Sequence, residues 1–284
     1  ILITNITFSQ STFHLLDQAT DARTLSLTKA ITATPSNYIN INPANINLNI
    51  IGLRISNIIL PADIQINEVA FTTHIKKIVY IGRVKTADYG LIKDGNNNIS
   101  SANDIALEIG FKSTIKNLFS SGITVGIINS KIASKTATGI FSNIGISFKI
   151  LNNHLGIGMS LNNLGMQIKQ YNMTSEPIPS SARIGLFYKP KHLPASLNFD
   201  LVNNLNDKLE FIGGIEFKPQ NHIIFRISIG DYHSDLSTGE FKLDLINGIS
   251  FGAGFLINNM SIDYGTQNIG IAGLIHCFSI SWNH

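Results

Sequence analysis

The stretch from His222 to Asp231, HIIFRISIGD, decides the architecture. In an extended chain Ile223, Phe225, Ile227 and Ile229 fall on one face, and His222, Arg226, Ser228 and Gly230 fall on the other. One face is oily and the other is polar or small. Upstream, Ile105, Leu107, Ile109 and Phe111 oppose Glu108, Gly110 and Lys112, and Leu155, Ile157, Met159 and Leu161 oppose Gly156, Gly158, Ser160 and Asn162. Downstream, Leu243, Leu245, Ile249, Phe251 and Phe255 oppose Asp244, Gly248, Ser250, Gly252 and Gly254.

With turns placed where Gly, Asn, Pro, Lys and Ser interrupt the alternation, strands are expected near 47–58, 64–75, 77–86, 103–116, 120–131, 138–150 and 153–168. The second half gives 181–189, 193–204, 207–218, 221–232, 243–256, 259–266 and 272–282, for about fourteen in all. An even count with alternately short and long connections is the signature of a transmembrane antiparallel β-barrel. Lys76-Lys77, the stretch around Phe119, Leu151–Asn153, Lys189–His192, Pro219-Gln220 and Ile257-Asn258 read as tight turns, against longer connections at 87–102, 132–137, 169–180 and 233–242. The connection around Asn206 is tight where a long one is due, and a phase break at Asn67-Glu68 predicts a bulge.

Composition agrees with a membrane setting. Of 284 residues 44% are hydrophobic and only 14% charged, yet polar residues break the apolar runs too often for a membrane-crossing helix. A closed barrel is the other way to satisfy every backbone group in hydrocarbon. A soluble β-sandwich also alternates, but the polar face here carries Gly, Ser and Asn rather than the Thr, Lys and Glu of a solvated sheet, and no composition shift divides 45–284 into two units. The all-β barrel is therefore assigned to 45–284, and residues 1–44, which lack alternation, to an N-terminal plug. Within the plug, 13–29 reads as a short, weak helix or irregular segment ending near Pro35. The expected location is the outer membrane, with membrane lipid around the barrel and an export leader removed ahead of Ile1.

Chemistry is harder to find. The net charge of +3 is scattered without a basic cluster, which argues against nucleic-acid binding. Cys277 stands alone and the eight histidines are dispersed, so neither a metal site nor a cofactor is expected. Gly248-Ile249-Ser250-Phe251-Gly252, followed by Asp263 and His276, formally matches a hydrolase elbow. That chemistry needs Ser250 on a strand-to-helix turn, and the pentapeptide lies inside an alternating strand. No enzyme is expected.

The N-terminal segment resembles the PorV/PorQ family of outer-membrane proteins, relatives of the FadL fatty-acid channels. The resemblance is carried by Phe13-His14-Leu15-Leu16-Asp17, Ala22-Arg23 and Asn42-Pro43-Ala44, then by Leu161–Gly165, Pro179, Arg183–Gly185, Gly214–Phe217, Arg226 and Ile262–Gly265. It departs at Leu25–Lys29, where the family carries Leu-Gly-Gly. The resemblance, closer to PorQ in length, implies a FadL-like barrel whose N-terminal segment sits in the lumen. It also implies service in type IX secretion or cell-surface attachment, with secretion components as partners. On this reading Arg23 meets a lumen carboxylate and Asn42-Pro43-Ala44 leads the chain into the first strand. The alternative is a FadL-type channel for small hydrophobic molecules, with a lumen that holds lipid or detergent and a lateral opening at a kink such as Asn67-Glu68.

Overall fold

The computed structural model describes residues 13–48, 50–93, 99–115, 118–151, 154–171, 175–204, 209–230 and 247–284. The first half of the wall is built by β1 (Gly52–Ile59), β2 (Gln65–Ile75), β3 (Ile78–Lys93), β4 (Ile99–Ile115), β5 (Phe119–Ile132), β6 (Lys135–Ile150) and β7 (Leu155–Lys169). The second half is β8 (Ser181–Tyr188), β9 (Ala195–Asn204), β10 (Leu209–Gln220), β11 (Ile223–Gly230), β12 (Ile249–Ile257), β13 (Met260–Asn268) and β14 (Leu274–Asn283). Each strand pairs antiparallel with its sequence neighbours, and β1 closes on β14 from Gly52↔Asn283 to Ile59↔His276. The fold is a closed antiparallel barrel of fourteen strands.

The alternation is inside out relative to a soluble protein. Ile109 is 65% exposed and Phe111 51%, whereas Arg54, Glu68, Glu108 and Arg226 are each 5% exposed or less. Exposed Leu53, Ile55, Val69, Phe71, Ile227, Ile229, Phe278 and Ile280 extend this apolar surface over several strands. A continuous surface of that kind is stable only against hydrocarbon. Among the described residues no helix is long and apolar enough to cross a membrane.

Several boundaries differ from the sequence reading. β1 starts at Gly52 rather than 47, because Ile46 is fully buried with Ile39, Val79 and Ile81, and Pro43–Asn45 forms a 3-10 turn. The connection expected at 132–137 is the two-residue turn Ala133-Ser134, with Ala133 at φ 54°, since β5 and β6 stay paired to Ile132↔Lys135. β3 and β4 likewise extend through most of 87–102. No bulge occurs at Asn67-Glu68. β2 keeps regular register with both neighbours; Asn67 faces outward and accepts from Asn57 at 2.8 Å, while Ile66 and Glu68 point inward. The apparent phase break has a physical cause: the inner face is charged at mid-height and apolar toward the long-connection end, so Ile66 is as inward as Glu68. Register shifts occur elsewhere, between β3 and β4, between β10 and β11, and between β6 and β7, where the pairing moves from Ser142↔Leu164 to Ile144↔Leu161 with Asn163 at φ 55°. The expected connections around Asn206 and at 233–242, and the inferred strand positions Leu243 and Leu245, lie outside the described residues.

Residues 13–48 occupy the interior. The expected helix is reduced to α1 (Ala22–Ser26), well short of Pro35, because Thr28 and Lys29 turn left-handed (φ 49° and 64°). The chain then approaches the wall at three places where glycines of adjacent strands face each other: Gly252↔Gly265, Gly158↔Gly185 and Gly122↔Gly145. Ser26 and the Ala22 carbonyl lie on the first pair, Thr32 and Ala33 on the second, and Asn42 and Pro43 on the third. A Cβ on Gly122 would sit 2.6 Å from the Pro43 carbonyl carbon. These wall glycines permit the close approach that a glycine-bearing helix would otherwise supply.

Substituting Gly145, Gly158 or Gly252 with Val is expected to cost about 1–3 kcal/mol through overpacking. It should also expose residues 13–48 to protease. Gly213→Ala, whose new Cβ would meet nothing closer than Phe199 at 3.8 Å, should leave both unchanged. Limited proteolysis and thermal melting of the purified barrel check the contrast.

Candidate functional site

The strands carry a belt of ions into the lumen at mid-height, and the clusters around Arg54, Arg183 and Arg226 reach the interior segment. Arg54 of β1 pairs with Asp21 and, at 2.6 Å, with Glu68 of β2; it also donates to Asn40 Oδ1 and the Ile39 carbonyl, each at 3.1 Å. Its guanidinium lies 5.0 Å from the centre of the Tyr38 ring. Arg83 pairs with Glu108, which also accepts from Asn143 at 2.7 Å. Arg183 meets Asp200 at 3.2 Å, and Asp200 takes the Thr32 backbone N–H at 3.1 Å. Arg226 joins Asp263 at 2.7 Å and Glu216 at 2.8 Å. Charges this deep persist only when paired and hydrogen-bonded.

The residues singled out from the sequence are placed as follows. Arg23 donates from Nε and Nη2 to the two Glu216 oxygens at 2.9 and 3.0 Å, and from Nη1 to the Pro35 carbonyl at 3.0 Å. Ala22 is buried, and its N–H donates to Ser279 Oγ at 2.8 Å. Asn42 donates to the Thr32 and Ile146 carbonyls at 2.8 and 3.1 Å, and its Oδ1 accepts from the Ala44 N–H at 2.9 Å, capping the Pro43–Asn45 turn. Asp17 stands apart from this anchoring: it is largely exposed and pairs with Lys29 at 3.1 Å.

Arg54, Arg83, Lys85, Thr28 and Thr32 carry no signal of their own in the sequence, and Glu68 reads only as part of a phase break. Arg54, Glu68, Arg83 and Lys85 nevertheless lie on inward-facing positions that projecting the alternation would have found. Lys85 donates to the Gln18 carbonyl at 2.7 Å, and Thr28 bonds Ser228 and Ser250 at 2.7 and 2.8 Å. The hydrolase reading of Ser250 fails on geometry. Its hydroxyl is buried against Thr28, Asp263 is paired with Arg226, and His276 sits on the opposite face of the wall, bonded to Tyr264 at 2.8 Å. Among the described residues no group of His, Cys, Asp and Glu could hold a metal.

Toward the long-connection end the lumen turns apolar. Phe13 and Leu15 pack with Ile58, Ile66, Ile128, Phe141 and Ile178. The wall is also irregular there: among the described residues, β7 to β8 pairing ends at Asn162↔Ser181, while β7 itself runs on to Lys169. Outside this region lies an apolar pocket of about 710 Å³, lined by Leu107, Ile127, Ile140, Phe141, Leu164 and Met166. Phe141 therefore belongs to both the inner cluster and the outer pocket.

A closed barrel with an apolar exterior, an ionic lumen and an N-terminal segment inside it defines an outer-membrane β-barrel with a filled lumen. The same fold is found in the toluene transporter TodX of P. putida, at 10% identity and TM-score 0.54 over 91% of this chain and 96% of that one. It is also found in a FadL homologue of Pseudomonas aeruginosa (10%, 0.56, covering 94% and 98%) and in the monoaromatic hydrocarbon channel CymD (10%, 0.53, covering 98% of each). No protein-family model and no curated protein matches the sequence.

Two outcomes follow from the ion belt. Arg54→Ala strands Asp21 and Glu68 in a buried site and should destabilise by about 3–5 kcal/mol. Arg23→Ala removes a partly exposed pair whose partner keeps Arg226, and should cost about 1 kcal/mol. Protease sensitivity of residues 13–48 that is equal in the two variants would contradict this ranking.

The second outcome concerns pH. Burial pushes the Asp21 carboxyl up, but the Arg54 guanidinium, the N–H and hydroxyl of Thr24 and the Arg23 charge outweigh it and hold the group below its ordinary value. Its contribution is thus fully present above the unfolded aspartate range of about pH 4 and is lost as pH falls through the lower folded value. Protection of the segment should weaken only in that acid window, and in Asp21→Asn the Asp21-dependent part of that weakening should disappear.

Proposed function

We propose that the protein is a non-enzymatic FadL-type channel of the outer membrane that admits small hydrophobic molecules at its long-connection end. The observation that carries this reading is the apolar end of the lumen, where Phe13, Leu15 and Phe141 pack in one cluster and, among the described residues, β7 runs on past its last β8 partner at Asn162↔Ser181. A hydrophobic solute entering this end competes with Phe13 and Leu15 for the same apolar surface and leaves sideways along the β8-facing edge of β7, without crossing the ion belt. Two proteins of the same fold, a toluene transporter and a monoaromatic hydrocarbon channel, support this class of solute. Phe141→Arg places a charge in the apolar cluster that the solute must enter and should reduce uptake of an aromatic hydrocarbon by reconstituted vesicles about tenfold or more. Undiminished uptake by a folded variant counts against the route.

A second reading rests on the PorV/PorQ resemblance: a scaffold that docks type IX secretion or attachment components. It is favoured by the number of fastenings between the interior segment and the wall, at Ala22, Arg23, Thr28, Thr32 and Asn42, which suit a barrel whose lumen stays shut. In this reading residues 1–44 act as the plug. Purification from native membranes should then bring down secretion partners, and their absence would count against it.

A further inference from the structure

Two polar cavities lie in line within the lumen. The larger, about 310 Å³, opens near the short turns and is bordered by Arg54, Asp21, Arg226, Lys218 and Asn283. The smaller, about 40 Å³, lies deeper, among Arg83, Arg183, Asn143 and Asn162, and extends to Asp17 and Lys29. The side chains of Asp17 and Lys29 are 52% and 28% exposed, so this end of the smaller cavity meets solvent. Two buried atoms of its lining residues have no hydrogen-bond partner in the protein: Asn162 Oδ1, and Arg83 Nη1, which lies 3.8 Å from Glu68 Oε2. A volume of this size with an unmatched donor and an unmatched acceptor is suited to hold water.

Asn40 borders both cavities. Its Oδ1 accepts from Arg54 Nη1 at 3.1 Å and from Thr20 Oγ1 at 3.4 Å, and its Nδ2 donates to Ser36 Oγ at 2.9 Å. These are side-chain hydrogen bonds, which a rotation of Asn40 can break. We propose that the two cavities form a polar path for water and small inorganic anions past the interior segment, with Asn40 as its gate. The preference for anions follows from the lining: four Arg or Lys against three carboxylates border the larger cavity, and three against one border the smaller. Glu68, Glu108 and Asp200, which pair with Arg54, Arg83 and Arg183, are not among the lining residues, so the groups nearest the path are mainly cationic and favour anions locally. The path is independent of the apolar chamber, so it stands or falls separately from hydrocarbon uptake.

The test is the full chain reconstituted in planar bilayers with potassium chloride as the probe. Losing the Asn40 bond to a charged partner should raise the open probability about tenfold in Asn40→Ala. Under a salt gradient the reversal potential should report chloride preference. Lys218→Glu in that background should move the potential toward the potassium side. Asn40→Ser serves as a second opening variant if Asn40→Ala does not fold. A folded opening variant with conductance no higher than the original protein overturns the proposal, as does an open path that prefers potassium.

Discussion

A backbone in hydrocarbon has only itself to bond to, and the pairing of β1 with β14 is what leaves no strand edge unsatisfied. The rest of the structure depends on that closure. Barrels of about eight strands fill their interior with side chains, but a larger ring leaves a space that the wall alone cannot fill. With fourteen strands the interior here takes up a further stretch of chain, residues 13–48. The lipid side demands apolar residues at every second position. The lumen side is left free to serve fit, charge and passage.

That freedom is used in two ways. Opposed glycines in three neighbouring-strand pairs flatten the wall where the interior backbone must come close, and Ser26, Thr32 and Asn42 each rest on one such patch. Between the patches, Arg54, Arg183 and Arg226 tie wall carboxylates to the segment, through Asp21, Thr32 and the Glu216–Arg23 pair. Buried ions give little net stability, but a mispaired one is costly, so such a belt fixes the segment in one position. Position is what a filled lumen needs if any passage through it is to be selective.

The change from an ionic to an apolar lining along the barrel axis separates two environments within one lumen. Apolar solutes have surface to occupy beside Phe13, Leu15 and Phe141, and polar ones beside Arg83, Arg183 and Asn40. The same axial change misled the sequence reading at Asn67-Glu68. An inward Ile66 looks like a break in phase only if the inner face is taken to be polar throughout.

The period-two alternation, together with the small and amide residues on its polar face and the low charge, pointed to a barrel with an apolar exterior, because which face a side chain takes is a local property of an extended backbone. It also placed Arg226, Glu108 and Lys112 on the polar face, and it set residues 1–44 apart by their lack of alternation. Only the tertiary structure decided which charges meet, which glycines oppose each other, and where the wall breaks at Asn162-Asn163. Arg54 and Asp21 are 33 positions apart, and Arg23 and Glu216 are 193 apart. Such pairs depend on strand register and on the path of a segment with no period of its own, and neither is encoded in the spacing of neighbouring residues.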